Sequence, residues 1–234
     1  METEEPTMRE LLTEAINSEG TNPGRVSLNL IRWTTMYPVK VLKVTGGLIL
    51  SFILMIKVHW LFALLFIGFL LWNLFYWWNA IIRFKIGNVN PGKVIHLNPD
   101  RIAVATDMTK GFGHYPVLRI LDVKLRREDR ILNKIIPTIA GYANNPYGYP
   151  FWSEFSPVPM NHGIRSKKLI ERFSNTYGDE EIKTLNEYID KVGSTEPETY
   201  KIDEDTTDWV DYKNVVIGDL DRMEGPESLK KEEV

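Results

Sequence analysis

The chain has 234 residues, 44% hydrophobic and 25% charged, with a formal net charge of −3. That length holds one ordinary domain plus appendages. It contains no cysteine, which excludes disulfides, thiolate nucleophiles and cysteine-ligated zinc or iron–sulfur centres.

The charge is unevenly placed. Residues 1–24 carry six acids against the single base Arg9, and residues 194–234 carry thirteen acids against five bases. The stretch between them is therefore strongly basic, a basic body between two acidic ends. The acidic N-terminal segment, 1–24, has no apolar run. About forty largely polar residues precede the first apolar stretch, so a cleavable signal peptide is not expected.

Residues 25–38, "RVSLNLIRWTTMYP", mix apolar and aromatic residues with Arg25 and Arg32. They read as an amphipathic lead-in lying on a membrane surface, or as a helical extension of the first apolar stretch.

Residues 39–86 are expected to form a transmembrane hairpin. "WLFALLFIGFLLWNLFYWWNAII", Trp60 to Ile82, has no formal charge. A helix of that length reaches roughly 35 Å, enough for a hydrocarbon core of about 30 Å. "VLKVTGGLILSFILMI", spanning about 41–56, is interrupted by Lys43 but becomes a span if Lys40, Lys43 and Lys57 snorkel at its ends. Gly46, Gly47 and Gly68 are expected to let the two backbones approach. A buried pair of core helices is the alternative, but "FYWWN" reads as an interfacial aromatic belt. Arg25, Arg32, Lys40 and Lys43 precede the hairpin, and Arg83, Lys85 and Lys93 follow it, against Lys57 alone at the turn. The positive-inside rule then places both termini in the cytoplasm of a multi-pass cell (inner) membrane protein.

From 87 to 192 the texture is that of a β-rich cytosolic domain ending in helices. "KVIHL" reads as a strand bracketed by turns at Asn90-Pro91 and Asn98-Pro99. "RIAVATD" comes next as a strand and "TKGFGHYP" as a loop. "VLRILDVKLRR" alternates as a third strand, with "IIPTIAGYA" (135–143) and "FWSEFSPVPM" (151–160) as two more. Five short strands with Pro- and Gly-rich joints predict a small antiparallel barrel or curled sheet. Two helical pieces come after it, the second starting at Asp179 as N-cap with Ile182, Leu185, Tyr188 and Ile189 at helical spacing. Residues 193–234 form an acidic tail expected to be largely disordered, broken by the island "DWVDYKNVVIGDL".

The stretches "GNVNPGKVIHLNPDRIAVATDMTKGFGHYPVLRI" and "FWSEFSPVPM" resemble a bacterial family catalogued as a domain of unknown function. Its members pair an NPG turn, an NP-x-x-IAV-x-TD strand, a glycine loop ending in YPV, and a W-x-x-F-x-P-x-P element. The resemblance covers about residues 88–190, implies a shared fold and lends no activity. "RREDRILNK" and "GYANNPYGYP" look longer and more aromatic than the family pattern.

Catalytic motifs are missing from the sequence: no G-x-S-x-G, no H-E-x-x-H, no P-loop and no Rossmann fingerprint. His59, His96, His114 and His162 lack metal-ligand spacing, so no metal or cofactor is expected. The remaining catalytic candidates are Asp107, His114 and Glu154, a carboxylate–imidazole set beside Tyr115 and Trp152 suited to acid–base work. Asp107 capping its loop, with Trp152 filling the barrel, is the structural alternative. Tyr142, Tyr147, Tyr149, Phe151 and Trp152 form a candidate aromatic binding surface, or a lid packed on the barrel. Arg83, Lys85, Arg126 and Arg127 are candidate membrane-facing cations on a protein held near an anionic leaflet. Nucleic acid is not expected, because the acidic ends compete for the basic face.

The sequence thus predicts an α+β membrane protein: a two-helix transmembrane hairpin, a small antiparallel β-barrel-like cytosolic domain and short C-terminal helices. Its expected role is a membrane-anchored binding or assembly module whose partners are the lipid bilayer and a protein, or a second copy of itself. The alternatives are a membrane-tethered hydrolase-like enzyme using Asp107 and His114, and an accessory subunit of a larger transmembrane complex.

Overall fold

The structure, a computed structural model, describes residues 24–109, 115–143 and 151–202. Helix α1 is Leu30–Met36, its first turn capped by the Asn29 side chain, which accepts from the Arg32 amide at 2.9 Å. Helix α2 is Pro38–Lys57, with proline in its first turn where no amide is missed. Helix α3 is Phe62–Ile86. Helix α2 encloses the expected span 41–56, α3 starts two residues later than the expected 60–82 and runs four residues beyond it, and both are long and apolar enough to cross a membrane. They pack as a hairpin whose outer faces leave Leu42, Leu64, Leu71 and Phe75 exposed. Apolar surface that extensive belongs in lipid rather than water, and it makes the chain a membrane-associated protein.

One of the three expected contact glycines brings the helices together. A Cβ on Gly47 would lie 2.3 Å from the Phe69 ring, so only glycine admits that ring. Gly46 meets no more than Leu42 of its own helix, and Gly68 faces open space.

The domain beyond the hairpin is a curled, half-barrel-like antiparallel sheet of six strands in the order β5-β4-β1-β2-β3-β6. The strands are β1 Asn88–Leu97, β2 Asp100–Asp107, β3 Pro116–Asp122, β4 Ile135–Ala143, β5 Glu154–Pro159 and β6 Thr199–Lys201. Helices α4 Lys167–Ser174 and α5 Asp179–Val192 lie between β5 and β6 in the chain. The N-cap of α5 is Gly178 rather than Asp179; the Gly178 amide donates to Glu181 Oε2 at 3.0 Å.

Alternation along the strands supplies two apolar faces. Ile102 and Val104 of β2 point into one cluster with Val94, Val117, Tyr115, Ile136 and Phe155. Ala103, between them, points to the other face, where Leu118 and Ile120 meet Leu185 of α5. Arg119 reaches from β3 to donate to the Phe155 carbonyl of β5, across the curl of the sheet.

Three sequence expectations are corrected. Asn90-Pro91 is not a turn: both residues lie inside β1, with Pro91 opposite Pro137 of β4. Neither proline has an amide, so the pair occupies a position that exchanges no ladder bonds. Pro91 then turns its missing donor toward β2, where pairing with β1 has already ended at Gly92. Asn98-Pro99, by contrast, is a turn as expected: it is the tight connection to β2 and is cis. The acidic tail is ordered at its start. β6 pairs with β3, giving six strands rather than five, and Ile202 is buried beside Leu118 and Ile120. The island 208–220 lies outside the described residues.

Candidate functional site

The β2 end and the segment before β5 do come together. The Trp152 amide donates to the Met108 carbonyl at 2.9 Å, and Thr109 bridges Phe151. Asp107 sits at this junction, with one of its carboxylate oxygens holding backbone amides. Its Oδ1 accepts from the Thr109 amide at 2.9 Å and the Tyr115 amide at 3.2 Å, which closes the loop between them. Glu154 is exposed at the start of β5. His114, Tyr147 and Tyr149 lie outside the described residues.

The described aromatics face inward. Phe151 is 2% exposed and packs on Tyr115 with ring centroids 5.4 Å apart. Trp152 and Tyr142 pack partly buried against the inner cluster, and the Tyr142 hydroxyl lies 2.7 Å from Thr106 Oγ1. Tyr142 and Trp152 thus add to the filling of the half-barrel, and Phe151 packs beside it on Tyr115.

The basic set divides. Arg126 pairs with Glu128, while Arg127 and Lys85 are exposed. Arg83 is drawn into the joint between hairpin and sheet, donating from Nη2 to Ser156 Oγ of β5 at 3.2 Å.

That joint holds an extended network of polar contacts among the described residues. Phe84 of α3 is fully buried and meets Trp33 of α1 edge-on at 5.8 Å. The lead-in is therefore a wedge between hairpin and sheet as well as a surface helix, with Trp33 inward and Ile31 outward. The Trp33 indole N–H donates to the Tyr76 hydroxyl at 2.8 Å. Gly163 lets the chain pass so closely that a Cβ there would lie 2.5 Å from the Phe84 ring. Beside it, Arg32 donates to the Asn161 carbonyl, the Asn161 amide donates to Asp129, and Asp129 pairs with Lys134 at 2.7 Å.

His162 is at the centre. Its Nε2 faces the Lys124 carbonyl at 3.0 Å and its Nδ1 faces the Tyr37 hydroxyl at 2.7 Å. Burial pushes the imidazole down to about 4, against the Lys124 carbonyl and Asp129, which favour the proton, while Arg32 and Lys124 add to the fall. Burial also pushes the Tyr37 phenol up to about 12. The pair is thus neutral near pH 7, a hydrogen-bonded rivet rather than an acid–base dyad. Sequence reasoning passes over it because Tyr37 and His162 lie 125 positions apart. Among the described residues no group of three or more His, Cys, Asp or Glu side chains converges to hold a metal ion.

No family model matches the sequence, and no curated protein matches it. A crystal structure of a presumed membrane protein from Corynebacterium diphtheriae is similar to part of the chain. It is 18% identical, covers 49% of this chain and 99% of its own, and has a TM-score of 0.41.

Proposed function

We propose that the chain is a membrane-anchored module. Its hairpin crosses a cell (inner) membrane with both chain ends on the cytosolic side, and its half-barrel docks a protein partner there. The observation that carries this reading is the riveted joint. Phe84, Trp33, Tyr37 and His162 tie the ends of α1, α2 and α3 to the sheet, so the domain stands at a fixed height and orientation against the bilayer. Assembly of a partner at the membrane needs that fixed presentation. Asp107 favours the same reading over the hydrolase-like one, because its carboxylate already accepts two amides.

Among the described residues of the half-barrel, Ile131 and Leu132 are the large apolar side chains left exposed. They lie on the connection between β3 and β4, beside Arg127 and Arg130, and such an apolar spot with a polar rim suits a protein contact. The same fold is proposed for the family that the NPG, IAV-x-TD and W-x-x-F-x-P-x-P motifs resemble.

The test is purification of the full chain in mild detergent with mass spectrometry of co-eluting proteins, repeated for Ile131→Ser with Leu132→Ser and for Tyr147→Ala with Tyr149→Ala. Loss of a stoichiometric partner in either variant, with melting unchanged, supports docking. Retention of every partner in both variants would sink it.

A further inference from the structure

Where the hairpin meets the half-barrel, α1, α2, α3 and β5 enclose a recess of about 280 Å³. Its polar lining consists mainly of donors. Arg83 spends one of its five N–H groups on Ser156. Lys40 lies over the Tyr37 ring, 5.1 Å from its centroid. Among the described residues no carboxylate stands within ion-pairing distance of either cation; exposed Glu154 acts on Arg83 from farther away. The Tyr76 hydroxyl accepts from Trp33, which leaves its own proton to give, and no acceptor for it lies among the described residues.

The walls are aromatic and run along one face of α3. Trp72, Phe75, Tyr76, Asn79 and Arg83 fall at helical spacing. Arg83 stands at the sheet end, and Trp72 lies eleven residues deeper, roughly 16 Å at 1.5 Å per residue. The recess therefore grades from cationic at the sheet end to aromatic along the outer flank of the hairpin, where Phe75 and Trp72 are exposed. A free phosphate matches only the first part of that gradient; an amphiphile matches all of it.

We propose that this recess binds the phosphodiester headgroup of an anionic membrane lipid. Arg83 and Lys40 clamp the phosphate, Tyr76 donates to it, and an acyl chain lies along Phe75 and Trp72. Two cations with no described carboxylate beside them favour an anionic lipid over a zwitterionic one, whose ammonium would meet like charge. The inference rests on the hairpin lying in a bilayer.

The full chain is reconstituted with phosphatidylcholine vesicles, with or without phosphatidylglycerol, and floated. Lipid retained after mild delipidation is then counted by native mass spectrometry. Phosphatidylglycerol is expected to stay on the protein in preference to phosphatidylcholine. Lys40→Gln should weaken retention about fivefold, and Lys40→Gln with Arg83→Gln about twenty-five-fold, taking each cation as one such factor. Lys40 is exposed and lies over the Tyr37 ring, and among the described residues it makes no hydrogen bond or ion pair, so its variant keeps the joint. Arg83→Lys keeps the charge and should keep most of the retention. Equal retention of the two lipids, or retention unchanged in the double variant, overturns the proposal. So does competition by inorganic phosphate without any lipid preference, which would assign the recess to a soluble anion. A chain that fails to float defeats the membrane anchor itself, whereas one that floats without preference defeats only the lipid site.

Discussion

The Tyr37 hydroxyl donates to Nδ1 of His162 across 2.7 Å, and the opposite ring nitrogen donates to the Lys124 carbonyl at 3.0 Å. A carbonyl only accepts, so Nε2 carries the proton and Nδ1 is the acceptor. One neutral imidazole thus links the entry to α2, the turn after β5 and the irregular segment that leads away from β3.

The first prediction comes from that ring. Its pKa is about 4 when folded, below the ordinary 6.5. Between those values the unfolded chain binds a proton that the folded chain does not. The stability contributed is therefore complete above pH 6.5 and is lost as pH falls toward 4, about 3 kcal/mol over the window. Melting midpoints measured from pH 7.5 to 4 should drop more steeply for the native chain than for His162→Gln, which bonds without titrating. Parallel slopes would remove His162 from the account.

How much of the fold is legible in the sequence depends on the range of the determining contact. Strand β4 falls on the expected 135–143, because its apolar run and flanking turn residues are local signals. The hairpin is legible for the same reason. The NPG stretch reads locally as a turn, because a proline in a strand is excused only by its register, opposite Pro137 and beyond the β2 ladder. Thr199–Lys201 sits in an acidic stretch with no strand pattern of its own, and pairing with β3 decides its structure. The lipid recess is half visible, since the aromatic belt shows in the sequence but its convergence with Lys40 and Ser156 does not.

The second prediction concerns close packing at the joint. Gly163 is pressed against the Phe84 ring and the Leu28 side chain, each within 2.6 Å of a Cβ placed there. Gly163→Ala should cost about 1–3 kcal/mol by overpacking. Gly68→Ala, inside α3 with open space beside it, serves as the control. Equal melting temperatures for the two variants would show that the joint yields freely.

A third prediction separates cap from catalyst at Asp107. Asp107→Ala removes the acceptor for two amides and should cost about 1 kcal/mol per hydrogen bond lost. Hydrogen exchange at the Thr109 and Tyr115 amides should speed up, and Asp107→Asn should restore part of the protection through its remaining carbonyl oxygen. Unchanged exchange in the alanine variant, together with loss of a cellular phenotype, would return the carboxylate to a chemical role.

The last prediction addresses orientation. Seven basic residues flank the open end of the hairpin, while Lys57 stands alone at its turn, and the half-barrel is tied to the open end. A native chain without cysteine gives a clean background for labelling. Val58, exposed between α2 and α3, and Leu132, exposed on the connection between β3 and β4, are suitable positions for single cysteines. Neither is buried, so the variants should melt with the native chain. With both termini cytosolic, Val58→Cys should react with an impermeant maleimide on intact cells, and Leu132→Cys only after permeabilisation. The opposite pattern would put the half-barrel outside the cell. Labelling of both positions on intact cells would mean that the helices do not separate two compartments, and the apolar hairpin would need a protein partner along its whole length instead of lipid.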